Sequence, residues 1–485
     1  MPGVDFPQSH CLGGLARCDI TPPVGIYHRM WGAATHDRST GVHRPLTATA
    51  LALAPDADGA EHFERGQLQV IVGVDHCLLW NEQMDQLRAA VARGSNLGAD
   101  QVHVSMSHTH AAGLMDPGRA ALPGGELIGP YLDTLAKRVG AIVRHAVDDL
   151  RPVRMMYGTG RCSLATHRDC WDAENELYVC GFNPDGPADD TVLVARISNT
   201  EGRTLGTVVN YACHPTTLAW QNTLISPDYV GAMREIVETA SGAPCLFLQG
   251  ASGDLGPREG FVGEVETADR NGRQLGHAAL AAIESLPAAG MRFEYVGPVV
   301  SGATIGTWAE QPLAGQDLQR RRLWRAETLE VELPLRPGLP TADEIRKQQE
   351  HWAREEHEAL ARGEADAARD CRAQVERTAR TLARLAGLTE GTSLRVPIHL
   401  WRLGDASWLL LPGEHYHLLQ RVLRQRFAYR PLVVATVTDG WQPGYVPTAE
   451  TYGRGIYQES IALVAPGALE SLIEQVGDYL AAWND

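Results

Sequence analysis

The stretch LQVIVGVDHCLLWNEQMDQLRAAVARGSNLGADQVHVSM, residues 68–106, decides the fold. Leu68 to Val74 is a short apolar, β-branched run. Asn81 to Arg93 carries its apolar residues at helical spacing, and Val102 to Met106 is a second β-rich run. Strand, helix and strand in that order form a βαβ unit. Downstream, Tyr131 to Val147 reads as another helix and Val153 to Gly158 as another strand. The alternation predicts an α/β protein with mixed, largely parallel sheets flanked by helices.

The rhythm continues past the midpoint. ISNTEGRTLGTVVNYA (197–212) reads as a hairpin turning near Glu201-Gly202. SPDYVGAMREIVETA (226–240) opens a helix with Ser226 as cap, Pro227 at the first position and Asp228 facing the dipole. CLFLQG (245–250) is a buried strand that runs into the glycine-rich turn GASGDLGP, and Glu266 to Ser285 is helical. From Thr341 to Leu385 the chain is charged and alanine-rich, with Gly363 as a turning point, which predicts an exposed helical hairpin: a solvated decoration, or a lid or oligomer contact. SLRVPIHLWRLGDASWLLLPGE (393–414) is a hairpin turning at Gly404-Asp405, followed by a helix over His417 to Arg426 and a strand over Leu432 to Val437. The expected organisation is a catalytic core begun in 1–330, a helical insertion at 331–390, and completion of the core in 391–485.

With 485 residues the chain can bury a large core, and 44% apolar with 21% charged residues is the profile of an ordinary globular protein. The net charge of −16 repels nucleic acid and anionic membrane surfaces, so neither partner is expected. No basic n-region with an apolar h-region opens the chain, and no apolar run approaches a membrane span; the expected compartment is the cytoplasm. The nine cysteines lack a CxxC pair and read as reduced thiols. Cys213, adjacent in sequence to His214, belongs on the opposite face of its extended segment, as a buried thiol.

Several metal-binding or proton-moving side chains fall just beyond the carboxyl ends of predicted strands: Asp75, His108 and His110, His214, and Glu414. That edge of an α/β sheet is where ligands bind. His108 and His110 lie two residues apart, on one side of an extended segment, suiting one ligand and a neighbouring acid/base group. Two imidazoles and a carboxylate are zinc-like donors, and zinc in such a site makes water acidic enough to act near neutral pH. A hydrolase is the expected outcome.

Taken together and in order, LARCDITPP (15–23), TGVHRPL (40–46), SHTH (107–110), CHPTTL (213–218), LISPDYVG (224–231), GDLGP (253–257), LPGEHY (411–416) and GYVPTAETYGRGIY (444–457) resemble the catalytic domain of the neutral/alkaline, non-lysosomal ceramidase family, zinc amidases that split the N-acyl bond of ceramide. The resemblance implies Zn2+ held by His108, His214, Glu414 and Tyr445. It implies that His110 contacts the reacting water or the oxyanion, and that Tyr457 helps hold the tetrahedral intermediate. Arg168, in ATHRD, matches the family's substrate-orienting arginine. Asp75 and Asp254 match acidic positions near the site and are expected to bind substrate, whereas Asp228 is assigned to its helix.

One position departs from the pattern: the family has a serine important for activity where this chain has Gly256. That departure, with the acidic composition, favours a soluble small-molecule amide over a membrane lipid. An ester, lactone or glycosyl substrate at the same centre is an alternative. Two further readings are a serine hydrolase using Ser252 in QGASGD, which lacks GxSxG spacing, and a non-catalytic binding protein. Assembly into a homo-oligomer is left open by the sequence.

Overall fold

A computed structural model describes residues 3–56, 63–388 and 393–484. Its centre is an eight-stranded sheet built from β1 (Gln8–Asp19), β2 (Thr47–Pro55), β3 (Gln69–Val74), β4 (Val102–Met106), β5 (Arg151–Arg161), β6 (Thr191–Asn199), β7 (Thr204–Tyr211) and β8 (Cys245–Gln249), in the order β8-β7-β6-β5-β1-β2-β3-β4. The βαβ unit read from residues 68–106 is there, with β3 and β4 parallel. The mixed α/β class holds; the expectation of largely parallel pairing does not. Only the two end pairs, β3–β4 and β7–β8, are parallel, and the pairs between them are antiparallel. Strands β1 and β2 insert into the middle of the sheet, and β5, β6 and β7 alternate in direction beside them.

Each strand presents alternate residues to opposite faces, and the two faces are covered differently. Ala48, Ala50, Ala52, Val70, Val72 and Val104 face helices α1 (Asn81–Ser95) and α2 (Ile128–Asp148). Val192, Val194, Val209 and Phe247 face α3 (Tyr229–Ser241) and α4 (Val265–Glu284). Helix α2 lies so close to β1 that a Cβ on Gly14 would fall 2.0 Å from the carbonyl oxygen of Ala146, so only glycine fits.

The opposite face, including Leu51, Leu53, Ile71, Tyr157 and Leu248, meets a second sheet across a shared core containing Trp401 and Trp408. This sheet is β9 (Trp324–Pro334), β10 (Ser393–Leu403), β11 (Ala406–Leu410) and β12 (Leu432–Ala435), in that order. Between the adjacent strands β9 and β10 the chain makes α5 (Ala342–Arg362) and α6 (Ala365–Leu385). Thr341 and Glu344 form a capping box at the start of α5, and Gly363, at φ 76°, ends it. The insertion expected from residue 331 therefore begins after Pro334, and its expected far limit at 390 lies outside the described residues. Helices α7 (Leu418–Arg426) and α8 (Ala468–Ala481) cover the outer face of the second sheet through Leu419, Leu423, Leu472 and Val476, completing four layers, α/β/β/α.

The helical hairpin is not a free decoration. Glu376 of α6 accepts hydrogen bonds from Arg119 Nη2 at 2.7 Å and Tyr27 Oη at 2.9 Å, and Arg380 donates to the Met30 carbonyl at 2.6 Å. Helix α3 begins at Tyr229, capped by Asp228, which accepts from the Tyr229 amide at 2.6 Å and the Leu218 amide at 2.9 Å. The cap is therefore Asp228, and Ser226, two residues earlier, accepts from the Asp228 amide. All nine cysteines are free, and Cys213 is buried in the apolar layer beneath α3. Among the described residues no helix is long and apolar enough to cross a membrane.

Candidate metal centre

Four chain segments end at one point. His108 follows β4, His214 follows β7 and Glu414 follows β11. Tyr445 is placed by a two-residue parallel ladder pairing Glu414 with Tyr445 and His415 with Val446. The loop before the ladder is tight: Gly413 has φ 85°, and a Cβ there would lie 2.9 Å from the Gly444 carbonyl. His108 itself has φ 68°, a left-handed conformation that costs a non-glycine residue about 1–3 kcal/mol and is concentrated at functional sites.

His108 Nε2 lies 3.2 Å from His214 Nε2 and 3.2 Å from Glu414 Oε2, and His214 Nε2 lies 3.0 Å from the same oxygen. Tyr445 Oη is 3.3 Å from His214 Nε2. The tautomers are fixed from behind: His108 Nδ1 donates to the Cys77 carbonyl and His214 Nδ1 to the Ser252 carbonyl, each at 2.7 Å. Both Nε2 atoms therefore point inward as lone-pair donors. Glu414 is held by Trp441, whose Nε1 donates to Oε1 at 2.7 Å.

Three buried lone-pair atoms crowd into one triangle. A single proton bridges one edge only, whereas a cation at the centre satisfies all three. Tetrahedral zinc with bonds of about 2.0–2.1 Å places its ligand atoms about 3.3–3.4 Å apart, close to the spacings present. The donor set fits a divalent ion, and these residues form a candidate metal-binding group.

Without an ion the two imidazoles diverge: burial opposes charge on His108, but Cys77 and Glu414 push it well above the ordinary imidazole range. Burial opposes charge on Glu414, yet the two imidazoles hold its carboxyl well below the ordinary glutamate range. Burial and Arg168 lower His214 to about 4. His110 is held neutral by burial and by His108 and His214. Its Nε2 is buried without a partner among the described residues. Burial pushes the Tyr445 hydroxyl up, while Arg168 opposes that rise by donating to Tyr445 Oη at 3.0 Å.

The triangle opens on a small cavity of ≈ 50 Å³ lined by His108, His110, Glu414, Tyr445, Tyr457, Cys77 and Trp441, with apolar walls from Met30, Leu78, Trp80 and Leu114. Tyr457, 50% exposed, stands at its mouth against Tyr445. The predicted residues His108, His110, His214, Glu414, Tyr445 and Tyr457 thus come together at one place.

Others stand apart from the cavity. Arg168 is buried behind Tyr445, its guanidinium committed to that hydroxyl and to the Gly253 carbonyl at 2.5 Å, and it does not line the cavity. Asp75 is closed off by Arg234, whose Nη1 and Nη2 each approach at 2.9 Å, and by Thr47. Asp254 accepts from the His417 amide at 2.8 Å and Nδ1 at 2.6 Å. Both aspartates are buried and paired with neighbouring segments, and neither lines the cavity. Ser252 fails as a nucleophile: its hydroxyl is buried behind His214 and receives a hydrogen bond from Gln249 at 2.6 Å, while its carbonyl occupies His214 Nδ1.

Sequence reasoning missed Cys77, Trp441 and the hairpin arginines Arg380 and Arg384, which also line the cavity. Cys77 lies just past the end of β3, the strand-end signal that flagged Asp75. Arg380 and Arg384 are like charges at i and i+4, an unfavourable helical pair that marks a face with a task.

A second candidate group, His103, His399 and Asp439, is buried beneath the sheet edge. Its carboxylate already takes Arg88 Nε at 3.1 Å, His103 Nδ1 at 2.7 Å and the Val104 amide at 2.7 Å. It serves as a structural charge network.

No protein-family model matches the chain. Solved structures do. A crystal structure of neutral ceramidase from Pseudomonas aeruginosa superposes with a TM-score of 0.62 at 17% identity, covering 98% of this chain and 74% of that one. A structure of ceramidase complexed with C2 gives a TM-score of 0.61 at 17% identity, covering 97% and 74%. This chain shares the fold of neutral ceramidases over almost its whole length, and the motif order read from the sequence points to the same family.

Proposed function

We propose that the protein is a zinc-dependent amidase that hydrolyses the N-acyl bond of a small soluble molecule, R–CO–NH–R′ plus water giving a carboxylate and an amine. The observation that carries the reading is the triangle of His108, His214 and Glu414, with its lone pairs turned inward beside a cavity. The likeness to ceramidases supports the bond cleaved.

His108, His214, Glu414 and Tyr445 would hold the ion. Zinc bound there would supply Lewis acidity and lower the pKa of water. The chain's own groups perform the rest. His110, neutral and with a free Nε2 in the cavity, takes a proton from the attacking water and passes one to the leaving nitrogen. Tyr457 donates its hydroxyl to the oxygen that becomes negative. Arg168 keeps Tyr445 in place, and Met30, Leu78, Trp80 and Leu114 accept an apolar acyl portion. The acidic composition and nine free thiols favour the cytoplasm as its compartment.

Metal analysis of the purified protein, followed by a screen of matched amides and esters, tests this. One equivalent of zinc and turnover of amides is the expected result, with both lost in His108→Ala. Full activity after exhaustive chelation contradicts it.

A further inference from the structure

The helical hairpin adds charge to the cavity. Arg380 and Arg384 of α6 line it together with His108, His110 and Glu414, and both also line a larger adjoining space of ≈ 710 Å³ that lies between the hairpin helices and Tyr457. The guanidinium of Arg384 stacks over Trp441, 5.4 Å from its ring centre, and Trp441 in turn holds Glu414. Among the described residues nothing accepts a hydrogen bond from that guanidinium, and its Nε is buried unpartnered. Among the described residues Arg380 has one acceptor, the Met30 carbonyl, and its Nε is likewise buried and unpartnered.

Several other arginines of the hairpin are paired. Arg372 lies beside Glu356 and Glu376, Arg369 beside Asp366, and Arg362 beside Glu364. Glu376 lies near enough to Arg380 for the two charges to interact, yet among the described residues neither Arg380 nor Arg384 forms a salt bridge; half-buried cations left without one are costly, and two of them four residues apart repel. Burial, and Arg380 close by, lower the Arg384 pKa, as expected of a cation short of a partner. Glu414 offsets only part of this from a distance and makes no hydrogen bond to either arginine, its oxygens being used by Trp441 and the two imidazoles. A chain with net charge −16 has nonetheless gathered positive charge at one cavity mouth, which focuses the field on an incoming anion.

We infer that Arg380 and Arg384 form an anion subsite, so that the substrate is an N-acyl compound bearing a carboxylate, or an equivalent sulfonate or phosphate, on its amine portion. The inference rests on the cavity being the substrate site. It gives the departure at Gly256 a counterpart: the selectivity of this chain comes from the inserted hairpin.

The test is a binding measurement that does not depend on turnover. The ligand is the ketone isostere of N-octanoylglycine, with CH2 in place of the amide NH, compared with its neutral primary-amide derivative by calorimetry on the full-length protein as purified. One charge-assisted contact predicts that the carboxylate binds about tenfold tighter. Arg384→Gln or Arg380→Gln brings the ratio toward one, and Arg384→Lys restores most of it, which separates charge from a loosened hairpin. Sulfonate and phosphate counterparts identify the anion, and preference for any of the three over the neutral ligand, lost in Arg384→Gln, supports the subsite. Equal or absent binding of all the ligands, or a preference that survives both glutamine substitutions, overturns it. Turnover of N-octanoylglycine is assayed separately, so failure of the amidase reading leaves the binding result interpretable.

Discussion

Trp441 contributes a single hydrogen bond to Glu414, and that bond fixes which carboxylate oxygen faces the imidazoles. Trp441→Phe keeps the ring beneath Arg384 and removes only the donor. Groups that orient a ligand in this way typically contribute about 10–100-fold in metal affinity, so a zinc competition titration is expected to show weakening of that order. Gly256 is the opposite case. A Cβ there meets nothing closer than 3.8 Å, the Thr216 hydroxyl oxygen, and its φ is not left-handed. Gly256→Ala is expected to change stability by no more than about 0.5 kcal/mol, as at ordinary tolerant sites, measured by denaturant unfolding. At this scale the sequence is most readable where a residue type has few uses. The histidines and Glu414 announce themselves by position at strand ends. Tyr445 does not, because an aromatic residue in a buried loop is ordinary; the resemblance supplied it. Asp75, flagged by its strand-end position, and Asp254, matched through the resemblance, lie away from the cavity, because a pattern in sequence does not reveal that Arg234 and His417 pair with their oxygens.

Helix α6 docks through Glu376, and the docking has a pH dependence. Burial opposes ionisation of Glu376, but Arg119 and Arg380 outweigh it and hold the carboxyl below its usual range. A carboxyl whose folded pKa is depressed contributes its full stability above the unfolded value of about 4.3 and loses it as pH falls through the folded value. Amide hydrogen exchange in residues 365–385 is therefore expected to be insensitive to this group near neutrality and to accelerate, relative to intrinsic rates, in acid below about pH 4. Glu376→Gln should show the accelerated exchange already at pH 7. The hairpin was legible as two helices because Gly363 and the capping box at Thr341 punctuate it; its docking was not, because Glu376 meets residues more than two hundred positions away. TATALALAP (47–55) shows the converse failure. Alanine favours helix in isolation, yet this segment is a central strand: its alanines fit against α2 while Leu51 and Leu53 fill the space between sheets. Tertiary packing overrides propensity, and with this strand and β1 unread, the sheet looked largely parallel.

Across the whole molecule, the class and layering follow from a simple division. Small or branched residues on one face of the central sheet meet helices, while large ones on the other face meet a second sheet around Trp401 and Trp408. The four inward-facing donors lie at positions 108, 214, 414 and 445, on elements from both sheets, so no short fragment of the chain contains the set. On the proposed zinc reading only the native arrangement brings the four donors together, so ion occupancy opposes unfolding by mass action. At free zinc a hundred times the dissociation constant the gain is about 2.7 kcal/mol. The melting temperature, followed by calorimetry, is expected to rise with buffered free zinc and to fall on chelation, and His108→Ala should flatten that response. On that same reading, a cell short of the ion would lose this protein twice over, first as activity and then as abundance, because the unfilled form is the one that quality-control proteases reach more often.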